Sequence, residues 1–200
     1  MINQYVAYLR EHDIAPAITA STGIAATHIG GMTIHSWSGI GIKTALNKHD
    51  LQKIASSQYI VKRIRRAKVL IIEEVSMLGP ETLSMVDAVV RKITERLEPF
   101  GGMQVVFSGD FFQLPPVVKR DTENNGQFEL IETLSARFAY DSPAWKELNV
   151  SVCYLIQQYR QDDRDFLALL SAVRRNAFGM DELHHIIARK IQPQALPDSV

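Results

Sequence analysis

The string Val69-Leu70-Ile71-Ile72-Glu73-Glu74 constrains this chain more than any other. Its four apolar residues leave no polar face. A strand that is hydrophobic on both faces belongs inside a parallel sheet with helices above and below. Parallel neighbours must be joined by crossovers of about a dozen residues or more, usually helical. The rest of the sequence should therefore alternate strands with helices, and its pattern does so.

Ile2, Tyr5, Val6 and Leu9 recur at helical spacing, so the chain begins inside an amphipathic helix with no capping residue ahead of it. Residues 16–21 (PAITAS) read as a buried strand. A short helix is expected over residues 24–29, broken by Gly30 and Gly31. Residues 50–66 read as one helix with a basic end. Leu83, Val86, Val90, Ile93 and Leu97 form one face of a helix over 80–97, stopped by Pro99, Gly101 and Gly102. Gln104 to Ser108 and Val150 to Leu155 read as further strands, and 163–176 as a further helix. Residues 121–127 form a polar loop, and the tail from Gln192 is expected to fray. The alternation predicts an α/β fold with a mostly parallel sheet flanked by helices. One main domain runs to about residue 161, and helices over 162–200 start a second lobe.

Composition excludes several classes. Twenty-two Lys and Arg balance twenty-two Asp and Glu. Any nucleic-acid contact must then come from local patches, not a histone-like global field. Cys153 is the only cysteine, so neither an internal disulfide nor a cysteine-based zinc site can form. No apolar stretch approaches the roughly 20 residues of a membrane span, and the N-terminus lacks a secretory pattern. The expected location is the cytoplasm or nucleoid, or the nucleus or mitochondrion for a eukaryotic source.

Two carboxylates at the C-terminal end of a parallel strand face the crevice where such sheets bind ligands. One can hold a magnesium ion or its water, and the other can polarise an attacking water. Taken alone, a strand ending in two solvated acids fits equally well. A second buried run ends in Ser108-Gly109-Asp110, with Gln113 just beyond and Pro115-Pro116 stiffening the chain after it. Gly109 permits a sharp turn or a close backbone approach. A glutamine amide can donate to a phosphate oxygen and accept from water.

Together, residues 73–77 (EEVSM), 99–102 (PFGG) and 109–117 (GDFFQLPPV) resemble the Pif-type, or petite-integration-frequency, helicases. These are superfamily-one motors of the 5′-to-3′ branch, related to RecD. Residues 19–26 (TASTGIAA) and 30–36 (GGMTIHS) resemble the family's DNA-contacting motifs, and 158–161 (QYRQ) its fourth motif. The resemblance implies a RecA-like P-loop NTPase core. It makes Glu74 the general base and Glu73 the magnesium ligand, where the family usually has aspartate. Gln113 would sense the γ-phosphate of ATP, and Arg160 would reach it from the second lobe. Thr19, Ser21, Thr22, Gly23, Thr33, His35 and Ser36 would face single-stranded DNA. Trp37 reads as a core aromatic, and the basic run from Lys62 to Arg66 as a solvated helix face.

No Gly-Lys-Ser/Thr phosphate loop occurs in the sequence. The resemblance places that loop just before the first helix, and further motifs beyond the last. The chain is thus expected to be truncated at both ends, with the absent strand packing beside those at Pro16 and Val69. The implied function is the central segment of an ATP-dependent 5′-to-3′ DNA helicase, using Mg2+ and ATP. Its partners would be single-stranded DNA and DNA forks or duplexes, in repair, recombination and genome or telomere maintenance. The alternative is a catalytically inactive remnant that holds single-stranded DNA or a partner.

Overall fold

The structure, a computed structural model, describes residues 1–113, 115–116, 138–157, 159 and 162–188. The chain divides into two compact units, Met1–Ser151 and Val152–Val200, ahead of the boundary near residue 161 drawn from the sequence.

The first unit is built on four parallel strands: β1 (Pro16–Ala20), β2 (Met32–Thr33), β3 (Val69–Glu73) and β4 (Gln104–Phe107). Their order across the sheet is β2-β1-β3-β4. β1 and β3 pair from Pro16↔Val69 to Ala20↔Glu73, and β3 and β4 from Val69↔Gln104 to Ile72↔Phe107. All the strand C-termini therefore lie on one edge of the sheet.

Side chains alternate across a strand, and β3 shows both faces buried as its sequence demands. Val69 and Ile71 pack with Val6 and Leu9 of α1 (Ile2–Glu11). Leu70 and Ile72 join the larger core on the opposite face. That core receives Ile34 and Trp37 of α3 (Ile34–Ser38), which follows α2 (Gly23–His28). It also receives Ile54 of α4 (Lys48–Ser56) and Ile64 of α5 (Gln58–Arg66). Leu83, Val86, Val90 and Ile93 of α6 (Pro80–Thr94) complete it.

Several elements differ from the sequence reading. The expected helix over 50–66 is two helices, because Ser57 is extended (φ −74°, ψ 105°) between α4 and α5. The break lets Ile54 and Ile64 reach the same core. α6 stops at Thr94, since Glu95 is left-handed (φ 59°), and Leu97 is exposed rather than on the apolar face. Beyond it, a 3-10 turn at Pro99–Gly102 drives Phe100 into the core. The Phe100 amide donates to Asp87 Oδ1 (2.6 Å), and Gly101 is required because an added Cβ would collide with Thr94 Oγ1. Arg91 bridges Asp87 (2.8 Å) and Glu147 (2.6 Å) of α7 (Pro143–Leu148). Asp87 tolerates burial because both its oxygens are bonded.

Residues 150–155 form no strand. Val152, Tyr154 and Leu155 are exposed. Strand propensity is expressed only against a pairing partner, and among the described residues they have none. β1 and β3 pair directly with each other, so no strand fits between Pro16 and Val69. A further strand could join only outside β4 or β2. The polar loop at 121–127 and the tail from Gln192 lie outside the described residues.

The second unit holds α8 (Arg164–Arg174), capped by Asp163, packed on α9 (Met180–Ala188). Among the described residues, no helix is long and apolar enough to cross a membrane.

Candidate nucleotide and nucleic-acid site

The edge where the strands end gathers most of the residues singled out in the sequence. Glu73 closes β3, and its carbonyl accepts from the Ser21 amide (3.0 Å) just past β1. Glu74 follows in a left-handed conformation (φ 55°, ψ 43°). That conformation is uncommon for a residue with a Cβ and is characteristic of functional turns. It reverses the chain into a 3-10 turn, Val75–Met77.

The turn after β4 docks on this reversal. Ser108 donates to Ile72 O (3.0 Å), and Val75 donates to Ser108 O (3.0 Å). Gly109 then passes so close that a Cβ would lie 3.0 Å from the Val75 nitrogen and 3.2 Å from that of Ser76. Close approach, not a left-handed turn, is what requires glycine there.

Asp110 organises the next turn. Its carboxylate accepts from the Phe112 amide (3.1 Å) and from Gln113 Nε2 (3.4 Å), while its carbonyl accepts from the Gln113 amide (3.1 Å). Gln113 is exposed. Phe111 anchors the turn edge-on to Phe138, Tyr140 and Trp145, and Trp145 stacks on Phe107 of β4 at 4.3 Å. Glu73, Glu74, Asp110 and Gln113 thus share one edge of the sheet.

Burial, then the adjacent charge of Glu74, raises the Glu73 carboxyl above the usual glutamate range; His28 offsets part of this. The Oγ atoms of Ser21 and Ser76 are buried without partners. Ser76 falls inside the sequence motif, but nothing in its residue type singles it out; its signal is the burial, which sequence does not carry. Two crowded acids suit a hard divalent cation, which relieves their repulsion. Among the described residues no group of three or more His, Cys, Asp or Glu could hold a metal. A magnesium ion here fits the sparse mode, in which one or two carboxylates share it with water and phosphate.

The hydroxyl-rich segments lie beside this edge, because β1 and β2 pair in register, Ala20↔Thr33. Thr19 departs from expectation. It is fully buried, and its hydroxyl donates to Ile71 O at 2.6 Å, so it braces the sheet and does not face a ligand. Thr22 caps α2 by accepting from the Ala25 amide (3.2 Å), and Gly23 opens that helix with free space around it. Thr33 caps α3 by accepting from the Ser36 amide (3.2 Å). Ser36 is exposed, and His35 is half-buried with its pKa lowered by burial. Trp37 lies in the core, as expected. Periodicity does not reveal α3, although Thr33 as cap and Gly39 as left-handed stop both announce it.

The basic run is less solvated than expected. Arg63 donates to Ser36 O (2.8 Å) and Trp37 O (2.5 Å), and Arg65 to Ile93 O (3.2 Å). Arg160 lies outside the described residues.

A parallel sheet with acids at the end of one strand and a glutamine turn at the end of the next is the arrangement of a RecA-like nucleotide-hydrolase core. Residues 1–175 match the PIF1-like helicase family, and the chain belongs to it. It is 45% identical over 160 residues to the ATP-dependent DNA helicase Pif1 of Psychrobacter sp. (strain PRwf-1), covering 80% of this chain and 23% of that relative. The chain therefore spans less than a quarter of that curated relative's length. The crystal structure of Pif1 helicase from Candida albicans superposes with a TM-score of 0.80 at 31% identity, covering 96% of this chain and 41% of that one. Pif1 helicase from Bacteroides, in complex with ADP-AlF3 and ssDNA, gives 0.73 at 33% identity, with coverage of 88% and 41%.

Proposed function

We propose that this chain is the central segment of an ATP-dependent 5′-to-3′ DNA helicase motor. Met1–Ser151 supplies most of the first lobe, and Val152–Val200 begins the second. The observation that carries the reading is the shared edge: Glu73 and Glu74 end one strand, and Asp110 and Gln113 follow its neighbour.

Glu74 accepts a proton from the water that attacks the terminal phosphate of ATP. Its left-handed backbone fixes where that carboxylate can reach. Gln113, tethered to Asp110, donates its amide to a terminal phosphate oxygen and registers whether that phosphate is present. Glu73 would hold a magnesium ion, which would screen phosphate charge. Arg160 contributes a second positive charge to the transferring group.

Single-stranded DNA lies across Ser21, Thr22, Gly23, Thr33, His35 and Ser36. The exposed Ser36 hydroxyl and the backbone amides of these turns bind phosphates without reading bases. The Ser21 amide bonded to Glu73 O joins the DNA segment to the catalytic strand, so a shift in one is felt by the other. The relative solved with ADP-AlF3 and ssDNA supports this pairing of sites. Forks and duplexes are the extended substrates, and repair, recombination and telomere maintenance the processes served.

The test is a steady-state ATPase assay with single-stranded DNA. The 200-residue chain is expected to be silent, because no Gly-Lys-Ser/Thr loop holds the phosphates in line with Glu74. A longer chain carrying that loop upstream is expected to turn over and to be stimulated by DNA. Turnover that survives Glu74→Gln sinks the assignment. Silence in the longer chain as well favours the binding remnant.

A further inference from the structure

Four bases lie between Lys62 and Arg66, and the structure separates them. Lys62 and Arg66 are exposed, and Arg65 turns to α6. Arg63 turns the other way, toward the segment that the proposed function lays against DNA. Its Nη2 donates to the carbonyls of Ser36 (2.8 Å) and Trp37 (2.5 Å), and its Nη1 meets Met32 Sδ at 3.6 Å. The guanidinium carbon lies 4.9 Å from the centre of the Tyr59 ring, one turn earlier on α5. Nε is buried without a partner.

These contacts bracket Thr33–Ser36, with Met32 before it and Ser36 and Trp37 at its end. α3 is five residues long, too short to hold its own shape in water. α5 holds it instead. Besides the Arg63 fork, Ile60 Cδ1 fills the place that a Cβ on Gly39 would take, so α5 packs directly against the α3 terminus. The carbonyls that Arg63 covers would otherwise present unpaired negative dipoles beside a phosphate.

We propose that Arg63 is a positioning residue for single-stranded DNA: it sets the backbone of Thr33–Ser36 from beneath and does not touch phosphate. This rests on the DNA-binding reading above. Both carbonyls are met from one nitrogen, which a lysine ammonium could also supply; lysine falls short because it cannot at the same time reach Met32 Sδ and set a planar cation over the Tyr59 ring.

The test is a fluorescence-anisotropy titration of a labelled oligothymidylate with the full 200-residue chain over a series of salt concentrations. Thermal melts of each variant run alongside. Arg63→Ala and Arg63→Lys should both weaken binding roughly tenfold, the scale of lost charge-assisted hydrogen bonds. The slope of log K against log salt should not change. Lys62→Ala should stay within about twofold of the parent at one salt, as a solvated charge does. A direct phosphate contact predicts otherwise: the slope falls by about one for Arg63→Ala, and lysine rescues. Either result overturns the proposal, as does a lowered Tm with unchanged affinity. Should Arg63→Ala fail to fold, Tyr59→Leu removes the ring beneath the guanidinium and should weaken binding in the same salt-independent way; unchanged affinity there also overturns it. No binding by the parent chain at any salt sinks the DNA reading itself, and this proposal with it.

Discussion

Beside Glu73 and Glu74, two buried hydroxyls go without partners; beside Thr19 and Thr33, Arg63 Nε is the one buried side-chain atom that does so among the described residues. Ser21 and Ser76 bury bare hydroxyls near the two acids, Glu73 resists ionisation, and Glu74 sits in a strained backbone conformation. Across β1 and β2, the Thr19 hydroxyl is bonded to β3, Thr22 and Thr33 cap helices, and Arg63 covers two carbonyls. One side of this shared edge keeps its electrostatic strain for a ligand to relieve. The other uses its polar groups to build a stiff frame and leaves Gly23, Ser36 and free amides for contact. Strain at the first suits a site that must respond to a phosphate coming and going. Rigidity at the second suits a strand held by geometry, not by sequence.

The largest expected effect lies at the strained edge. In a longer chain with a phosphate loop, Glu74→Gln should keep ATP binding and cut turnover by about 10²–10⁴-fold, because an amide accepts no proton. Equal losses in binding and turnover would move Glu74 out of the chemistry and into simple scaffolding.

Next comes the joint between the two acidic turns. Gly109→Ala forces a Cβ to 3.0 Å from the Val75 nitrogen. Overpacking of this kind costs about 1–3 kcal/mol, readable by urea denaturation. A neutral result would show that the two turns slide apart freely and do not act as a unit.

A matched pair probes the frame. Thr33→Ala loses a helix cap, at about 1 kcal/mol, and should also weaken oligothymidylate binding. Thr19→Val loses a buried hydroxyl bond, again about 1 kcal/mol, but should leave DNA affinity unchanged. If Thr19→Val alters affinity at constant salt, the division between framing and contacting hydroxyls fails.

Much of this is legible in the sequence. The Val69–Glu73 run carries the central strand and its two covered faces, and the acids and Gln113 fall where strand ends must fall. Thr19 escapes a sequence reading because a motif gives the chemistry of a hydroxyl but not its direction. Only pairing with β3 turns it inward. Arg63 escapes it because a basic run looks solvated until a neighbouring helix offers carbonyls, and that neighbour, α3, lies 27 residues away. The strand expected at Val150 fails for the converse reason, since β-rich residues find no edge to join among the described residues.

The smallest effect tests the strained edge by pH. Burial and the Glu74 charge raise the Glu73 carboxyl, so its proton is held more tightly in the folded chain than in the unfolded one. Stability from this group is fully present below the unfolded glutamate value, about 4.3. It is lost as pH rises through the raised folded value. Above both, an ionised Glu73 works against folding. Glu73→Gln stays neutral throughout, so its Tm should match the parent at low pH and exceed it at neutral pH. The gap is modest, because water still reaches the carboxylate and screens it. Magnesium should narrow the gap by stabilising only the parent, since a cation that binds the folded state raises its stability by mass action. Melting curves across pH, with and without MgCl2, read both effects. A gap that is the same at every pH would mean that the glutamine side chain merely packs better, and that the two acids were never in conflict.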